Sequence, residues 1–430
     1  MTPSVIPPAS ALHRLRCRLV PVGQWCVTLA LFSVPINKPL TSSFVVLAMI
    51  TSLLGAAPLQ RWKQAFHDPV ARGMLVWAGV LLLSALHALA LGDSGRGLMR
   101  SDIWNFIIPL MVASLLQTPQ LRWRALYAFA AGIGVVLLVS WLMAIGLVPQ
   151  REIAELVVSM RNTVIKEYTQ QGLATLMLFS LMLAIWPTLR QRRWRIAALV
   201  VAGLALVNVA VLLGSRTSYL TLVPLVLYWA WVVFSRPTAK LRVLLVAGVF
   251  ALGLGVSLWN SPSMETRLNA VTDEVSSYVE DGSATSTGIR LWLWQHTGEM
   301  IAEAPLIGHG LGQWHPQYLQ RMQQIPDSRP YLTSHPHQEM LLVLAEEGAL
   351  GLAVMLVLLF LLLRLLLRLP APEKHFFVSV LIIYLTAGLA NGLVSDYTHR
   401  NTFLLLLSCI PTVSLLAAGR TVEPSRRELR

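Results

Sequence analysis

Two histidines on either side of a proline are the residues of this chain best suited to acid–base chemistry. They lie in the stretch Ser-His-Pro-His-Gln-Glu at 334–339. Because the ordinary pKa of imidazole is about 6.5, His337 could accept a proton near neutral pH, with His335 and Gln338 beside it as support. The proline stiffens the pair, and the chain has no HExxH or Asp-x-Asp motif. We therefore predict a general base and no metal site; an interfacial histidine without a catalytic role is the alternative.

Two arginines stand where an anion could be bound. Arg216 follows Gly214 and Ser215 in a short turn that alone separates the predicted spans 196–213 and 217–235. Arg290 lies near the start of a predicted amphipathic helix at 288–304. Guanidinium groups make paired hydrogen bonds to phosphate or carboxylate oxygens, and the amino end of a helix also attracts anions. The alternative for Arg216 is an anchoring role, in which its side chain extends to an interface or to a lipid head group.

A further pair of cations, Arg161 and Lys166, lies in the segment 148–169. These side chains could join Arg216 in one basic pocket. Solvated loop cations are more common, however, and Glu167 could simply neutralise Lys166. The pair is therefore a weaker candidate for anion binding.

Other groups could support such a site without reacting. Glu346 and Glu347 lie one to two turns into the predicted span that begins at 339, and they could pair with an arginine or orient a histidine. Tyr219 lies just after Arg216 in the chain. The run Gly-His-Gly-Leu-Gly at 308–312 follows no predicted strand, so we expect its glycines to serve close packing rather than phosphate binding.

The composition indicates that these residues belong to a membrane protein. Of 430 residues, 55 % are hydrophobic and 13 % are charged, whereas about 25 % are charged in a typical soluble domain. The charges cluster between apolar runs that are too long for core helices. This pattern excludes a soluble enzyme. A net charge of +13 would suggest nucleic acid in a soluble chain, but in a membrane protein it usually reflects loop topology.

Apolar windows long enough to cross a bilayer predict an all-α, polytopic fold with about twelve spans. We read the first window as a retained helix and not as a cleaved signal peptide, because no small-residue cleavage site follows it. The twelve predicted spans are 17–35, 40–58, 73–92, 103–118, 124–147, 170–188, 196–213, 217–235, 242–260, 339–363, 376–395 and 401–419.

The distribution of charge orients these spans. Of the 34 Lys and Arg residues, 22 fall on the side that contains both termini, together with only four of the 21 acidic residues. Basic loops remain on the cytoplasmic side of a membrane, so both termini are predicted to be cytoplasmic. The +13 is therefore mostly a topology signal, and no nucleic-acid partner is expected.

Loop lengths predict three regions. Residues 1–260 hold spans 1–9 with short loops, 261–338 form one large, mainly helical outer loop, and 339–430 hold spans 10–12 with a cytoplasmic tail. Most of the other connections are too short to form a site, so we expect the chemistry to face outward. We find no internal repeat of the kind common in twelve-span transporters, which disfavours that class.

Four motifs in this order resemble the O-antigen ligase and polymerase superfamily. They are Gly-Ser-Arg at 214–216, Gly-x-Arg-x-x-x-Trp at 288–294, Pro-Leu-x-Gly-x-Gly-x-Gly at 305–312, and Ser-His-x-His at 334–337 with Leu-x-Glu-x-Gly-x-x-Gly at 344–351. The resemblance covers roughly 200–360, and the frame of twelve spans with one large loop is that of the ligases. Where the family commonly has His-Asn, this chain has His337-Gln338.

The resemblance implies a GT-C-like, metal-independent and inverting glycosyltransferase of the bacterial inner membrane, without a cofactor. Its donor would be O-antigen on undecaprenyl pyrophosphate, and its acceptor a sugar hydroxyl of lipid A-core at the periplasmic face. In that chemistry His337 would be the base, and Arg216 and Arg290, with Arg161 and Lys166, would bind the pyrophosphate.

Three other activities stay open on the sequence. A polymerase of the same superfamily would use a second lipid-linked glycan as its acceptor. A protein O-oligosaccharyltransferase would use the same donor with a protein acceptor. A twelve-span transporter of anionic cargo would also need outward arginines, but it would have no need of His337 as a base.

Overall fold

The chain is helical throughout the part that the structure describes. The computed structural model describes residues 11–93, 97, 101–150, 162–165, 168–213, 215–235, 285–325 and 332–411, and no strand occurs among them. The helices are α1 Ala11–Ser33, α2 Lys38–Leu54, α3 Pro58–Ala65, α4 Pro69–Ala90, α5 Ser101–Asn105, α6 Ile108–Leu115, α7 Pro119–Ala144, α8 Tyr168–Ile185, α9 Arg192–Val207, α10 Arg216–Phe234, α11 Ser286–Glu303, α12 Trp314–Met322, α13 Glu339–Leu366, α14 Ala371–Gly388 and α15 Tyr397–Leu407. A 3₁₀ turn, Trp186–Thr188, extends α8, and a π-helical turn, Asn208–Leu212, extends α9.

Several of these helices have the length and composition of membrane spans. Within the described ranges six qualify, namely α4, α7, α8 with its 3₁₀ turn, α9 with its π turn, α10 and α13; a seventh is possible if α2 and α3, bent by 115°, form one span. Many of their apolar side chains are not covered by protein. Only 17 % of the most apolar window of α13 is buried, for example. Exposed apolar faces of this extent need a lipid environment.

The polytopic, all-helical class is thus confirmed, whereas the count of twelve spans is not. The predicted span 242–260 lies outside the described residues, and 401–419 is described only as far as 411. The window 103–118 holds parts of α5 and α6, and their apolar stretch Ile103–Leu115 is shorter than a full crossing. Helices α1 and α14 form where spans were predicted, but they do not meet the same criteria of length and apolarity.

The helices divide between two compact units. The first takes its residues from Met1–Val76, Trp104–Gly134 and Asn401–Arg430, and the second from Trp77–Ile103 and Val135–Arg400. In the first unit, α1 packs along α2. Gly23 permits this approach, since a Cβ there would lie 2.5 Å from Thr51 Oγ1 and 2.9 Å from a methyl of Leu115.

A buried ion pair holds the core of the first unit. Arg122 donates from Nη2 to Asp68 Oδ2 at 3.0 Å, and also to the carbonyls of Leu116 and Ile410. Asp68 in turn accepts from the backbone N–H groups of Val70 and Ala71 at the start of α4. Since both side chains are almost fully buried, their charges depend on protein partners rather than on water.

Removing either member of this pair is expected to destabilise the protein strongly. Asp68→Ala would leave the Arg122 guanidinium buried without its counter-charge, which costs about 3–5 kcal/mol. Thermal unfolding in detergent measures the loss, with exposed Arg193→Ala as the matched control. A melting temperature for Asp68→Ala equal to that of the control would contradict a structural role for the pair.

Helix α8 is the core of the second unit. Its apolar residues face every direction, as is typical of a helix enclosed by others, and 72 % of its apolar window is buried. It packs against α9, α10 and α14. A second apolar cluster in this unit joins α11, α12 and α13 through side chains that are almost wholly buried, among them Leu293, Met300, Trp314, Tyr318 and Leu342. This cluster fixes α11 against the start of α13.

Candidate functional site

The starts of α10 and α11 meet, and this brings the two predicted arginines into one neighbourhood. Arg216 is the first residue of α10, and its Nη1 donates to Thr287 Oγ1 in the first turn of α11 at 3.4 Å. Arg290 lies three residues further along α11. Thr285 caps that helix by accepting from the N–H of Gly288 at 3.1 Å. Two guanidinium groups and the amino end of an 18-residue helix thus combine their positive charge.

His337 lies in a tight turn immediately before α13. Its φ of 55° is in the left-handed region, which a residue with a side chain adopts only when its surroundings hold it there. The turn is held by His335, because the backbone N–H of His337 donates to His335 Nδ1 at 3.1 Å. The two rings meet edge to face with their centroids 4.2 Å apart. His335 therefore carries its own ring proton on Nε2 when neutral.

The electrostatic surroundings keep His337 neutral. Burial, the neighbouring His335 and the positive charge of Arg290 together lower the pKa of His337 to about 3. Its Nδ1 is buried and makes no hydrogen bond to any described residue. A buried polar atom without a partner in the fold is a candidate for contact with a ligand. The influence of Arg290 also shows that the second arginine lies close to the imidazole. Arg216, Arg290 and His337 therefore form one cluster, which we call the Arg–Arg–His cluster.

This pKa gives an expected pH dependence. A free enzyme that needs neutral His337 should hold its kcat/KM constant from pH 8 down to about pH 5, because protonation begins only near the lowered pKa. A bound anion would offset the charge of Arg290 and raise the pKa, so the acid limb of kcat should lie at higher pH than that of kcat/KM. Initial rates across this range test the prediction. An acid limb of kcat/KM near pH 6.5 would contradict it.

The residues that follow His337 begin α13. Gln338 is the N-cap, and its side-chain oxygen accepts from the N–H of Leu341. Asn is a common N-cap and Gln is longer, so the chain differs from the His-Asn pattern at a position where the side chain has a structural task. Glu339 reaches the other way and accepts from the N–H of Val394 at 3.1 Å.

The segment after α14 borders this cluster and was not anticipated from the sequence. Asn391 donates from Nδ2 to Thr217 Oγ1 at 2.7 Å, next to Arg216. Burial lowers the pKa of His335, and the negative charge of Asp396 partly opposes that shift, so Asp396 lies close to the first histidine. A signal for these residues existed only in the Asn-Gly pair at 391–392, a common turn former, and in the acid at 396.

The glycine motif and the break in α13 fit together. Gly348 has φ 69° and ψ −171° inside α13, where helical hydrogen bonds are lost. Residues 305–310 replace them: the N–H groups of His309 and Gly310 donate to the carbonyls of Ala345 and Glu346, and those of Ala349 and Leu350 donate to Pro305 and Leu306. We call this pairing of 305–310 with 345–350 the interlock. The glycines of the motif thus serve packing.

The interlock leaves no room for a side chain at its centre. A Cβ on Gly308 would lie 2.5 Å from the Glu346 carbonyl, and the φ of Gly308 is +65°. We therefore expect Gly308→Ala to reduce both activity and stability by displacing α11. Gly298→Ala is the matched control, because nothing lies within 4 Å of a Cβ at that helical position. Unfolding and transfer assays compare the two variants, and equal behaviour would contradict the role of the interlock.

The remaining predicted residues that the structure describes make contacts within the fold. The hydroxyl of Tyr219 donates to the carbonyl of Ala210 in the π turn and so ties α10 to the end of α9. Glu347 is buried at the interlock, ten residues after His337. Its neighbour Glu346 accepts from the N–H of Trp314 at 3.3 Å and so ties α12 to α13. Arg161 and Lys166 lie outside the described residues.

The cluster can bind an anion and hold a neutral imidazole beside it. Among the described residues no three His, Cys, Asp or Glu side chains converge as metal ligands.

Comparison with known proteins gives one family. A family model described as O-antigen ligase matches residues 202–356, a segment that contains the Arg–Arg–His cluster and the interlock. No curated protein matches the chain. The family consists of glycosyltransferase-like membrane enzymes that act on lipid-linked polysaccharides. This match supports membership of the chain in the O-antigen ligase/polymerase superfamily.

Proposed function

We propose that the protein is an O-antigen ligase, a glycosyltransferase that moves O-antigen from undecaprenyl pyrophosphate to a sugar hydroxyl of lipid A-core. The observation that carries the proposal is the Arg–Arg–His cluster: Arg216 contacts the first turn of α11, and Arg290 of the same helix acts electrostatically on His337. Such a cluster supplies positive charge for a diphosphate and an imidazole base beside that charge.

The proposed reaction is a direct displacement. The acceptor hydroxyl oxygen attacks the anomeric carbon as the bond from that carbon to the diphosphate oxygen breaks. His337 takes the hydroxyl proton, and the diphosphate leaves with the bonding electron pair. Arg216, Arg290 and the amino end of α11 stabilise the charge that develops on the leaving group. Without a carboxylate nucleophile the product is inverted, and the mechanism needs no metal.

Binding of the donor would also prepare the base. In the free protein Arg290 contributes to a low pKa at His337, and a base of such low pKa is a weak one. Two diphosphate charges next to Arg290 would oppose that effect and raise the pKa. Base strength would thus increase only when donor is present, which limits unproductive proton transfer.

Other residues have supporting parts in this proposal. Arg161 and Lys166 would add positive charge to the anion site, and His335 holds the backbone of His337 in its turn. Gln338 supports the same turn by capping α13. Tyr219 and Glu347 support the site through α10 and the interlock.

The membrane setting follows from the two lipid-bound substrates. We propose twelve spans in the bacterial inner membrane, both termini in the cytoplasm, and the Arg–Arg–His cluster at the periplasmic face. The bilayer then concentrates donor and acceptor beside one site and limits their orientations.

A transfer assay with purified protein tests the function. Lipid-linked glycan is supplied with rough lipopolysaccharide, with a second lipid-linked glycan or with an acceptor protein, in the presence and absence of a chelator. The proposal predicts that lipopolysaccharide is extended and that the chelator has no effect. Extension of the second lipid-linked glycan would indicate a polymerase, and extension of the protein an oligosaccharyltransferase. Absence of any transfer would favour a transporter.

A further inference from the structure

One side of the interlock, residues 345–350, belongs to α13, a helix that is long enough to cross a membrane. After the break at Gly348, residues 349–366 form a continuous stretch of 18 residues in α13. At 1.5 Å per residue this stretch is about 27 Å long, close to the hydrocarbon thickness of about 30 Å. The break therefore falls near one surface of the bilayer, and Arg364 and Arg368 mark the other.

The depth of the break in the bilayer can be calculated from Arg364 or Arg368, which lie at the other end of the helix. Leu350 precedes Arg364 by 14 residues, which is about 21 Å of helix. If Arg364 lies at the cytoplasmic boundary, about 9 Å of hydrocarbon remains beyond Leu350; if the boundary is at Arg368, Leu350 lies about 3 Å inside the opposite boundary. Tilt of the helix makes Leu350 deeper. In either case the residues paired with Leu350 lie at hydrocarbon depth.

Leu306 and Ile307 are the residues that this pairing carries to the same depth. The N–H of Leu350 donates to the carbonyl of Leu306 at 3.1 Å. The side chains of Leu306, Ile307 and Leu350 are 65 %, 51 % and 60 % exposed. They continue an exposed apolar surface of α13 that includes Val357 and Phe360. No described residue covers this patch. We call its part after α11, Leu306 and Ile307, the leucine–isoleucine turn.

Protein satisfies several backbone polar groups at the break. Non-helical backbone is tolerated at membrane depth only where its polar groups are satisfied by protein. Here the carbonyls of Ala345 and Glu346 and the N–H groups of Ala349 and Leu350 all bond to residues 305–310. The exposed side chains of Leu306, Ile307 and Leu350 at this break are apolar.

We propose that the leucine–isoleucine turn inserts into the hydrocarbon of the outer leaflet and fixes the height of α11 above the membrane. The proposal rests on the membrane orientation given under the proposed function. Because the turn directly follows α11, its insertion sets the distance of Arg290 from the bilayer surface. A diphosphate attached to a lipid lies at the same surface. The turn would thus hold the arginine at the depth of the reacting group.

Site-directed spin labelling measures this depth without any assay of activity. The exposed Cys17 is first replaced by Ser, while Cys26 and Cys409 are buried and should not be labelled. A nitroxide is attached at Ile307→Cys in the full-length protein in liposomes of phosphatidylethanolamine and phosphatidylglycerol. Its accessibility to molecular oxygen, which concentrates in hydrocarbon, is compared with its accessibility to an aqueous nickel chelate. Gln320→Cys, on the exposed face of α12, is the matched control.

We expect the ratio of oxygen to nickel accessibility to be several-fold higher at position 307 than at position 320. Leu306→Cys should behave like Ile307→Cys. Equal ratios at positions 307 and 320 would overturn the insertion, and so would a label at 307 shielded from both reagents, which would indicate a protein partner. A high ratio in a protein that fails to transfer glycan would contradict the proposed function but leave the insertion standing.

Discussion

Replacing His337 with alanine is expected to abolish most glycan transfer while donor binding is retained. Removal of a general base typically lowers the rate by about 10²–10⁴-fold. The imidazole is not needed to hold the diphosphate, since the cationic groups of Arg216 and Arg290 remain. Single-turnover transfer measures the chemical step, and equilibrium binding of undecaprenyl pyrophosphate measures the affinity.

Two further histidine variants make this result specific. His315 is exposed on α12, so His315→Ala should retain the wild-type rate. His335→Ala removes the acceptor for the backbone N–H of His337 and should lower the rate less than His337→Ala does, by loosening the turn. If His337→Ala retained the wild-type rate, the base would have to be sought elsewhere.

Replacing Arg216 or Arg290 with alanine is expected to weaken donor binding and to lower kcat by about 10²–10³-fold, the usual cost of losing one donor to a developing oxyanion. Lysine at either position should recover part of the binding, because it restores the charge but not the paired hydrogen bonds of guanidinium. Titration of undecaprenyl pyrophosphate and the transfer rate are the two measurements.

The two arginines should differ in one respect. Arg290 lowers the pKa of His337, so Arg290→Ala should shift the acid limb of the rate profile to higher pH. Arg321→Ala is the control, since that side chain pairs with Glu303 at the surface of α11 and α12. Donor affinity unchanged in both Arg216→Ala and Arg290→Ala would contradict the anion site.

Local features of the fold could be predicted well from the sequence. The helix expected at 288–304 occurs as Ser286–Glu303, and the Thr285 cap marks its start, but its apolar residues do not form the single amphipathic face that was predicted. Span counting is less secure. The window 40–58 contains the bend between α2 and α3, where Gly55 and Pro58 interrupt the helix, and a hydropathy window averages over such a break.

Long-range pairing explains what the sequence could not show. The spacing of Arg290 and His337 gives no distance between them, since it is the interlock and the cluster around Leu293 and Trp314 that set it. Asn391 likewise lies far along the chain from its partner Thr217. Arg290 and His337 could be recognised as candidates because arginine and histidine have few alternative roles beside apolar segments. Asn391 could not, because an asparagine in a turn has many possible roles.

The most direct measurement is a structure of the protein with undecaprenyl pyrophosphate bound. The account predicts that the diphosphate contacts the guanidinium groups of both Arg216 and Arg290, with the His337 ring beside the adjoining sugar position. A diphosphate bound away from both arginines would contradict the central claim that these three residues form one site for the donor.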